Sequence, residues 1–316
     1  VNPKMKAEFM IKINGIVYSI ISAFIFGLTP IYMKLVSAQG LNMITYIFYS
    51  SILTAIICVV YSKLSHTSLV LKGKKLKEAC ISGVTGGGLT TVLLGISYNY
   101  LPSGMATSLH FIYPTIVMII SVIIFKDHIN ILRSVSLFMC LFAIIILGRS
   151  NSTNKAIGVV IALCSGFTYA FYIVYIEKTC VKEFPWLLLV FYMSLGGFIT
   201  SFLFGVFTKT ITFIVLDYKL LAVLTITTLF RSFIATPFFQ LGVRYSGSTI
   251  ASLLSTFEPL TSIIFGYFIL NEKLNTAKVI GCIAIILSVI LIIADAVRIN
   301  SKNHKYSISN TAYRKL

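Results

Sequence analysis

The stretch SGMATSLHFIYPTIVMIISVIIFKDHIN at residues 103–130 has a second copy, STIASLLSTFEPLTSIIFGYFILNEKLN, at residues 248–275. The two copies align without a gap at an offset of 145 residues (248 minus 103), and Pro114 of the first matches Pro259 of the second. Each copy contains an apolar run long enough to cross the ~30 Å hydrocarbon core of a membrane. A duplicated membrane segment with a central proline is typical of chains built from two repeated halves around a binding site.

The composition of the whole chain supports a membrane location. Hydrophobic residues make up 57% and charged residues 11%, whereas a soluble domain carries roughly 25% charged residues. The net charge of +17 comes mainly from short segments between apolar runs. It therefore predicts orientation in a membrane, not nucleic-acid binding. The six cysteines show no spacing typical of a metal site, so we expect no metal and no cofactor.

Polar breaks divide the apolar sequence into ten predicted helices, and Lys and Arg crowd the loops that share a side with the N-terminus. Since basic loops stay in the cytoplasm, both termini are predicted to be cytoplasmic. We expect a cytoplasmic N-terminus (1–12), a first repeat (13–149), a second repeat (150–296) and a basic, mobile tail (297–316). The predicted spans are 13–36, 41–62, 79–99, 103–125, 131–149, 156–178, 185–207, 218–242, 247–270 and 275–296.

The repeat extends beyond its strongest segment, because a second set of matches has an offset of 143 residues. Each half then holds five spans, and an odd number places the second half upside down relative to the first. The sequence thus predicts an all-α integral membrane protein of two inverted-topology five-helix repeats, with a cavity near the membrane midplane. The matched residues are Gly15, Phe24, Tyr32, Phe48 and Tyr49 with Gly158, Phe167, Tyr175, Phe191 and Tyr192.

These motifs resemble the ten-helix EamA family of the drug/metabolite transporter superfamily. The resemblance rests on Ser248-Thr-Ile-Ala-Ser252, Phe257-Glu-Pro259 and Leu270-Asn-Glu-Lys-Leu274, with Pro114 and Asp127-His-Ile129 in the first half and Lys34 near the end of the first span. It covers about residues 15–295. It implies a secondary carrier that moves small metabolites, often amino acids, outward across a bacterial inner membrane.

Three ionisable residues fall deep inside predicted spans: His110, Arg231 and Glu258. Such groups cost roughly 2.5–3.5 kcal/mol each to insert, and they are retained mainly where they face a partner or a cavity. The repeat pairs His110 with Ser255, and Tyr113 with Glu258. Because proline has no N–H, Pro114 and Pro259 are predicted to free the carbonyls of His110 and Ser255 beside the cavity.

Arg231 always carries its charge and therefore needs a partner when buried. Two groups can serve as this partner: Glu258 in a structural ion pair, or the carboxylate of a substrate. Counting at the offset of 145 places Gly86 opposite Arg231 in the first half. A neutral interpretation also stands, in which the prolines only kink their helices and the polar residues satisfy one another. Tyr98, Tyr113, Tyr169 and Tyr172 are further candidates for the walls of the site.

The sequence favours a carrier over an enzyme, since no phosphate-binding loop or hydrolase motif is present. We expect an exporter of amino acids or related compounds that works by alternating access. Its substrate-binding residues would be Glu258, Arg231, His110, Tyr113 and Ser255, with gating by Pro114 and Pro259. The expected partners are a small-molecule substrate, membrane lipid and a coupling proton. The alternatives are an organic-cation or multidrug exporter of the same fold and a non-transporting scaffold or receptor.

Overall fold

The computed structural model describes residues 3–29, 31–32, 36, 39–101, 103–126, 130–147, 156–212, 218–270, 274 and 276–313. Within these ranges all regular structure is helical. The first repeat contains α1 (Pro3–Phe26), α2 (Met43–Leu64), α3 (Gly73–Ser82), the π-helix π1 (Gly83–Leu89), α4 (Thr90–Ser97), α5 (Ser103–His110), α6 (Tyr113–Ile123) and α7 (Ile131–Leu147). The second contains α8 (Ala156–Lys178), α9 (Trp186–Phe207), α10 (Tyr218–Thr228), π2 (Leu229–Ala235), α11 (Thr236–Ser246), α12 (Ser248–Leu254), α13 (Phe257–Leu270) and α14 (Thr276–Tyr313).

Seven helical stretches in the described part of the chain are long and apolar enough to cross a membrane. Three shorter apolar helices, Met10–Phe26, Ile131–Ile146 and Val279–Asp295, lie at the predicted first, fifth and tenth positions. Large apolar side chains such as Phe138 and Phe268 are about seven-tenths exposed. On a helix of this composition, such side chains are suited to contact with lipid.

The packing of the helices reproduces the repeat found in the sequence. α1 packs along α11 and α8 packs along α4, which are the equivalent pairs in the two halves, while α7 packs along α14. Two glycines permit the equivalent crossings. A Cβ on Gly15 would lie 2.7 Å from the backbone nitrogen of Ser246, and one on Gly158 would lie 2.6 Å from Cβ of Tyr100. The matched glycines therefore have one role, the close approach of two helices.

The two π-helices occupy matching positions, at an offset of 146 residues (229 minus 83). In the first, Thr90 bonds the carbonyl of Thr85 through both its backbone N–H and its hydroxyl. In the second, Thr236 does the same to the carbonyl of Arg231. A π turn is uncommon and is frequent at functional sites. Its appearance at the same place in both halves shows that it belongs to the repeat unit.

Some helix boundaries differ from the sequence prediction. α1 already begins at Pro3, and α14 continues as a helix to Tyr313, through most of the tail that was expected to be mobile. The motif residues Lys34, Asp127–Ile129 and Asn271–Lys273 lie outside the described residues.

Candidate functional site

Arg231 is placed by π2, in the third span from the C-terminal end of the chain. The π turn shifts the register of the helix, so that Arg231 is followed five residues later by the threonine that binds its carbonyl oxygen, at 2.9 Å. The matching position in the first half is Thr85, whose hydroxyl bonds its own helix at the carbonyl of Ile81, 2.7 Å away. The predicted match of Arg231 with Gly86 is therefore wrong by one residue, because the offset is 146 in this span and not 145.

Glu258 is placed by a break between α12 and α13. The turn at Ser255 and Thr256 interrupts the span, and α13 begins at Phe257. Pro259 thus lies in the first turn of a new helix, where a missing N–H leaves no bond unmade. In the first half the break falls at residues 111–112, and Pro114 lies in the first turn of α6 in the same way. Glu258 and its repeat partner Tyr113 both stand at the start of the second half-helix.

The break also corrects the expectation of a freed carbonyl at Ser255. The carbonyl oxygen of Ser255 accepts the backbone N–H of Glu258 at 2.9 Å, so it is not free. The carbonyl of His110 is covered by α8, since a Cβ on Gly166 would lie only 2.8 Å from its oxygen. The Ser255 hydroxyl is buried and donates to the carbonyl of Ala251 at 2.9 Å. The Ser255 hydroxyl proton is therefore already used in a bond within the helix.

Arg231 and Glu258 lie within electrostatic reach of each other, but they do not form an ion pair. The structure describes both side chains and records an electrostatic interaction between them, with no N···O contact within 4.0 Å. Both residues are half-buried. Each keeps some exposed surface although it lies within an apolar span. A cation and an anion in this arrangement are both available to a third group placed between them.

Three tyrosines share this electrostatic neighbourhood. Tyr98 and Tyr169 interact with both charges, and Tyr113 interacts with Glu258. Tyr98 exchanges a hydrogen bond of 3.2 Å with Thr107. The Tyr113 hydroxyl is close to the Ser255 side chain, but no group of the described residues meets it in hydrogen-bond geometry. A buried hydroxyl without a partner costs about 1–3 kcal/mol, so it is an expected contact for a ligand or a water molecule.

Aromatic rings close one side of the site. Tyr169 lies edge-on to Tyr113, with ring centroids 4.8 Å apart, and it stacks on Tyr172 at 5.8 Å and on Phe239 at 5.9 Å. Tyr113, Tyr172 and Phe239 are buried, whereas Tyr169 is half-buried. Tyr169 is thus the member of this aromatic cluster that faces the space near the two charges. Tyr172 also covers Gly86, which has no room for a side chain.

His110 belongs to the aromatic cluster and does not touch the charged pair. Its ring lies 5.3 Å from that of Tyr113 and 5.4 Å from that of Tyr169. Nδ1 is 2.9 Å from the hydroxyl of Ser165, which itself donates to the carbonyl of Ala162 at 2.6 Å. Because the serine proton is used in that bond, Nδ1 of His110 is the donor and Nε2 is left as an acceptor. The role of Ser165 could not be predicted from the sequence, since a serine in a span gives no signal of its own.

A separate apolar groove of about 530 Å³ lies between α7 and α14. All its lining residues are apolar, among them Phe138, Phe142 and Ile283. A binding site for a polar molecule needs a few polar groups that fix its orientation. The groove has none, and it contains neither Arg231 nor Glu258, so it is suited to an acyl chain and is not the candidate site. In the described part of the chain, no three His, Cys, Asp or Glu side chains are grouped so as to hold a metal ion.

Comparison with known proteins agrees with this architecture. The model of the EamA-like transporter family matches the chain twice, at residues 13–149 and 156–294. The chain belongs to this family. It is therefore a multi-pass membrane protein of the drug/metabolite transporter type, and the two matches correspond to the two halves of the repeat.

Solved structures show the same fold at low sequence identity. One of them, named simply "Crystal structure of protein", is similar over 93% of this chain and 99% of its own, with a TM-score of 0.72 and 13% identity. At that identity the similarity concerns the fold alone. No curated protein matches the sequence.

Proposed function

We propose that the chain is a secondary carrier that exports amino acids or closely related zwitterions by alternating access. The observation that carries this proposal is the pair Arg231 and Glu258: two opposite charges inside the membrane, half-buried, near each other and not bonded to each other. Leaving both charges without a partner in an apolar span is costly. A zwitterion placed between them would supply a carboxylate to the arginine and an amine to the glutamate.

The remaining groups of the site support the same substrate class. Arg231 can hold a carboxylate with two parallel hydrogen bonds. The half-buried ring of Tyr169 presents a face on which an ammonium group is stabilised. The unpartnered hydroxyl of Tyr113 adds a donor or acceptor beside Glu258. His110 supports the aromatic cluster from behind and is not assigned a direct contact with the substrate.

Glu258 can also couple the export of substrate to the movement of a proton. A carboxyl group in the membrane interior can carry a proton in one direction when no substrate amine neutralises it. Export could then be driven by proton entry, with Glu258 occupied by a proton or by an amine but not by both. This exchange requires that flux of substrate depends on a pH gradient.

A second carrier function uses the same residues differently. An organic cation would bind Glu258 and the aromatic rings, and Arg231 would then serve only to balance the charge of the empty site. The presence of three tyrosines near Glu258, which are Tyr98, Tyr113 and Tyr169, favours this alternative. Competition separates the two: a zwitterion site excludes simple cations that lack a carboxylate, and a cation site accepts them.

The test is the flux of a panel of labelled amino acids in proteoliposomes, with and without a pH gradient, for the wild type, Arg231→Ala and Glu258→Gln. Removing one partner of a buried charged contact costs about 2–5 kcal/mol, so flux should fall thirtyfold or more in both variants. Glu183→Gln is the matched control, because Glu183 is exposed and pairs with Arg244 away from the site. It should keep wild-type flux.

Other outcomes reject parts of the proposal. Wild-type protein that moves no amino acid but moves organic cations establishes the alternative. A Glu258→Gln variant that retains flux with unchanged dependence on the pH gradient removes the proton from the mechanism.

A further inference from the structure

The two ends of the helix bundle are held by different contacts. We call the end at which the chain turns at residues 65–72, 179–185 and 247 the basic end, because eight Lys and Arg residues surround these turns: Lys63, Lys72, Lys74, Lys75, Lys77, Lys178, Lys182 and Arg244. The opposite end carries the turns at residues 40–42, 98–101 and 208–212. The inverted repeat relates one end to the other. Each residue at the basic end therefore has a matched residue at the opposite end, and the contacts of the two can be compared.

At the basic end, two polar side chains hold the turn at 179–185. Oε2 of Glu78, at the start of the third span, accepts the backbone N–H of Cys180 at 2.9 Å. Nε2 of Gln240, on α11, donates to the carbonyl of Phe184 at 3.3 Å. Glu78 and Gln240 are both buried. The turn between α8 and α9 is thereby fixed to the first half on one side and to α11 on the other.

A third carboxylate ties α8 to the beginning of α12. Oε2 of Glu177 accepts the backbone N–H of Ser248 at 2.8 Å. One residue further on, Thr249 donates to the hydroxyl of Ser121 on α6 at 3.2 Å. This last bond joins the second half of the chain to the first. Hydrogen bonds that end on a carboxylate are stronger than neutral ones, so Glu78 and Glu177 are the strongest of these contacts.

Between these contacts and the charged pair lies a layer of apolar core. It includes Tyr172, Ile176, Val181, Phe184 and Val243, all buried. The path from Arg231 and Glu258 to the basic end is therefore closed twice, first by side-chain packing and then by hydrogen bonds. Because this layer is buried, we infer that the exposed parts of Arg231 and Glu258 face away from the basic end.

The opposite end is held by a different set of contacts. There, Nδ2 of Asn42 donates to the carbonyl of Thr210 at 2.6 Å, and the hydroxyls of Thr45 and Thr212 lie 3.2 Å apart. Among the described residues of this end, the bonds made by Glu78, Gln240 and Thr249 have no equivalent. α6 and α12 touch at the basic end, whereas their counterparts α13 and α5 make almost no contact among the described residues. Likewise, α8 packs against α11, whereas their counterparts α1 and α4 make almost no contact among the described residues. The matched residues of the two ends also differ in polarity. Three polar residues of the basic end have apolar or glycine counterparts: Leu224 for Glu78, Leu94 for Gln240 and Gly104 for Thr249.

We propose that Glu78, Glu177 and Gln240 form a polar latch that closes the basic end and makes the conformation open at the opposite end the resting state. This inference rests on the proposed function, since a latch on one end has a purpose only in a carrier that alternates between two openings. An exactly symmetric pair of halves would populate the two openings equally. The positions matched to Glu78 and Gln240 are leucines, and the position matched to Glu177 is Lys34, whose side chain cannot accept an N–H. The latch thus has no counterpart of the same chemistry in the other half, and it biases the equilibrium toward one of the two openings.

The test measures the opening of the basic end directly, without substrate. Spin labels are attached at Lys75→Cys and Lys182→Cys, on the two sides of the Glu78–Cys180 contact. The six native cysteines are replaced by serine or alanine, which preserves the backbone N–H of residue 180. Pulsed electron resonance in nanodiscs should show one short distance for this background. Adding Glu78→Ala should raise the ratio of the long to the short distance about tenfold, the value of a hydrogen bond to a charged group.

Two controls separate the latch from a general loss of structure. Lys74→Gln changes a side chain that is 86% exposed and lies 3.7 Å from Glu78, and it should leave the distances unchanged. Glu177→Gln keeps the size of the side chain and weakens the bond to Ser248, and it should give a smaller shift in the same direction as Glu78→Ala. If both latch variants remain folded with the wild-type distance distribution, the latch does not exist.

The distance measurement needs no substrate, so it tests the latch separately from the proposed amino-acid export. A shift of the distances in a protein that transports no amino acid would retain the latch and reject the proposed amino-acid export. Flux of amino acids in a protein whose distances do not respond to Glu78→Ala would do the reverse.

Discussion

Thr236 donates its hydroxyl to the carbonyl oxygen of Arg231 at 2.9 Å, across the π turn that presents the arginine. The same bond joins Thr90 to Thr85 at 2.7 Å in the other half. A π turn has one residue more than an α turn, so it can be gained or lost with a rotation of everything that follows. The hydroxyl bond supplies a local reason for the longer turn.

We therefore expect Thr236→Val to reduce transport more than it reduces stability. Without the hydroxyl, the segment Leu229–Ala235 can return to α geometry and carry Arg231 away from Glu258. One hydrogen bond contributes about 0.5–1.5 kcal/mol, so the thermal unfolding midpoint should change little while flux falls about tenfold. Proteoliposome flux and differential scanning fluorimetry measure the two effects. Thr225→Val is the matched control, since Thr225 makes an exposed bond of the ordinary α type to Leu221.

Gly158→Ala and Gly15→Ala should destabilise the fold by similar amounts, because the two glycines make equivalent crossings. A methyl group at either position would overlap a neighbouring part of the chain, at 2.6 Å from Tyr100 or 2.7 Å from Ser246. Overpacking of this kind typically costs about 1–3 kcal/mol. Since the sites are far apart, the double variant should show the sum of both losses.

The control for this pair is Gly95→Ala, whose added methyl group would meet the flexible side chain of Met43. That side chain can move aside, so the unfolding midpoint should fall less than in the other two variants. Equal losses in all three would show that the crossings of Gly15 and Gly158 are not special.

The sequence predicted the helical class, the repeat and most of the membrane helices. Apolar runs and the constant offset carry that information, because lipid demands an apolar surface along the whole of a span. It also identified Arg231 and Glu258 as unusual, since charges in such runs are rare. Their nearness without an ion pair could not be predicted, because it depends on how two helices cross.

The π-helices were not predictable either. Leu229–Ala235 has a composition that suits an α-helix equally well, and the choice is made by one hydroxyl and by packing against neighbouring spans. The error over Ser255 has a related cause. The missing N–H of Pro259 would leave that carbonyl free in a continuous helix, but the turn lets the N–H of Glu258 reach it.

Asp295→Asn should lower the stability of the bundle at the junction of α7 and α14. Asp295 is 1% exposed and accepts hydrogen bonds of 2.7 Å from Arg133 and from Asn130. Removing one charge of a buried pair costs about 3–5 kcal/mol, because the other charge is left without a partner. We expect the thermal midpoint to fall by about 5–10 °C. Glu183→Gln breaks an exposed ion pair with Arg244, and it should cost no more than about 2 °C.

The reactivity of Cys180 should report on its contact with Glu78. Cys180 lies in the turn between α8 and α9; burial raises the pKa of its thiol, and the hydrogen bond and negative charge of Glu78 raise that pKa further. Less thiolate is then present at neutral pH, and since the thiolate is the reactive form, alkylation is slow.

In a protein with Cys180 as its single cysteine, Glu78→Gln should lower the thiol pKa and move the pH–rate curve for maleimide to lower pH. Lys74→Gln should move the curve slightly the other way, because the lysine charge lowers the thiol pKa. A curve that shifts in the same direction in both variants would mean that the access of the reagent, and not the charge of Glu78, controls the rate.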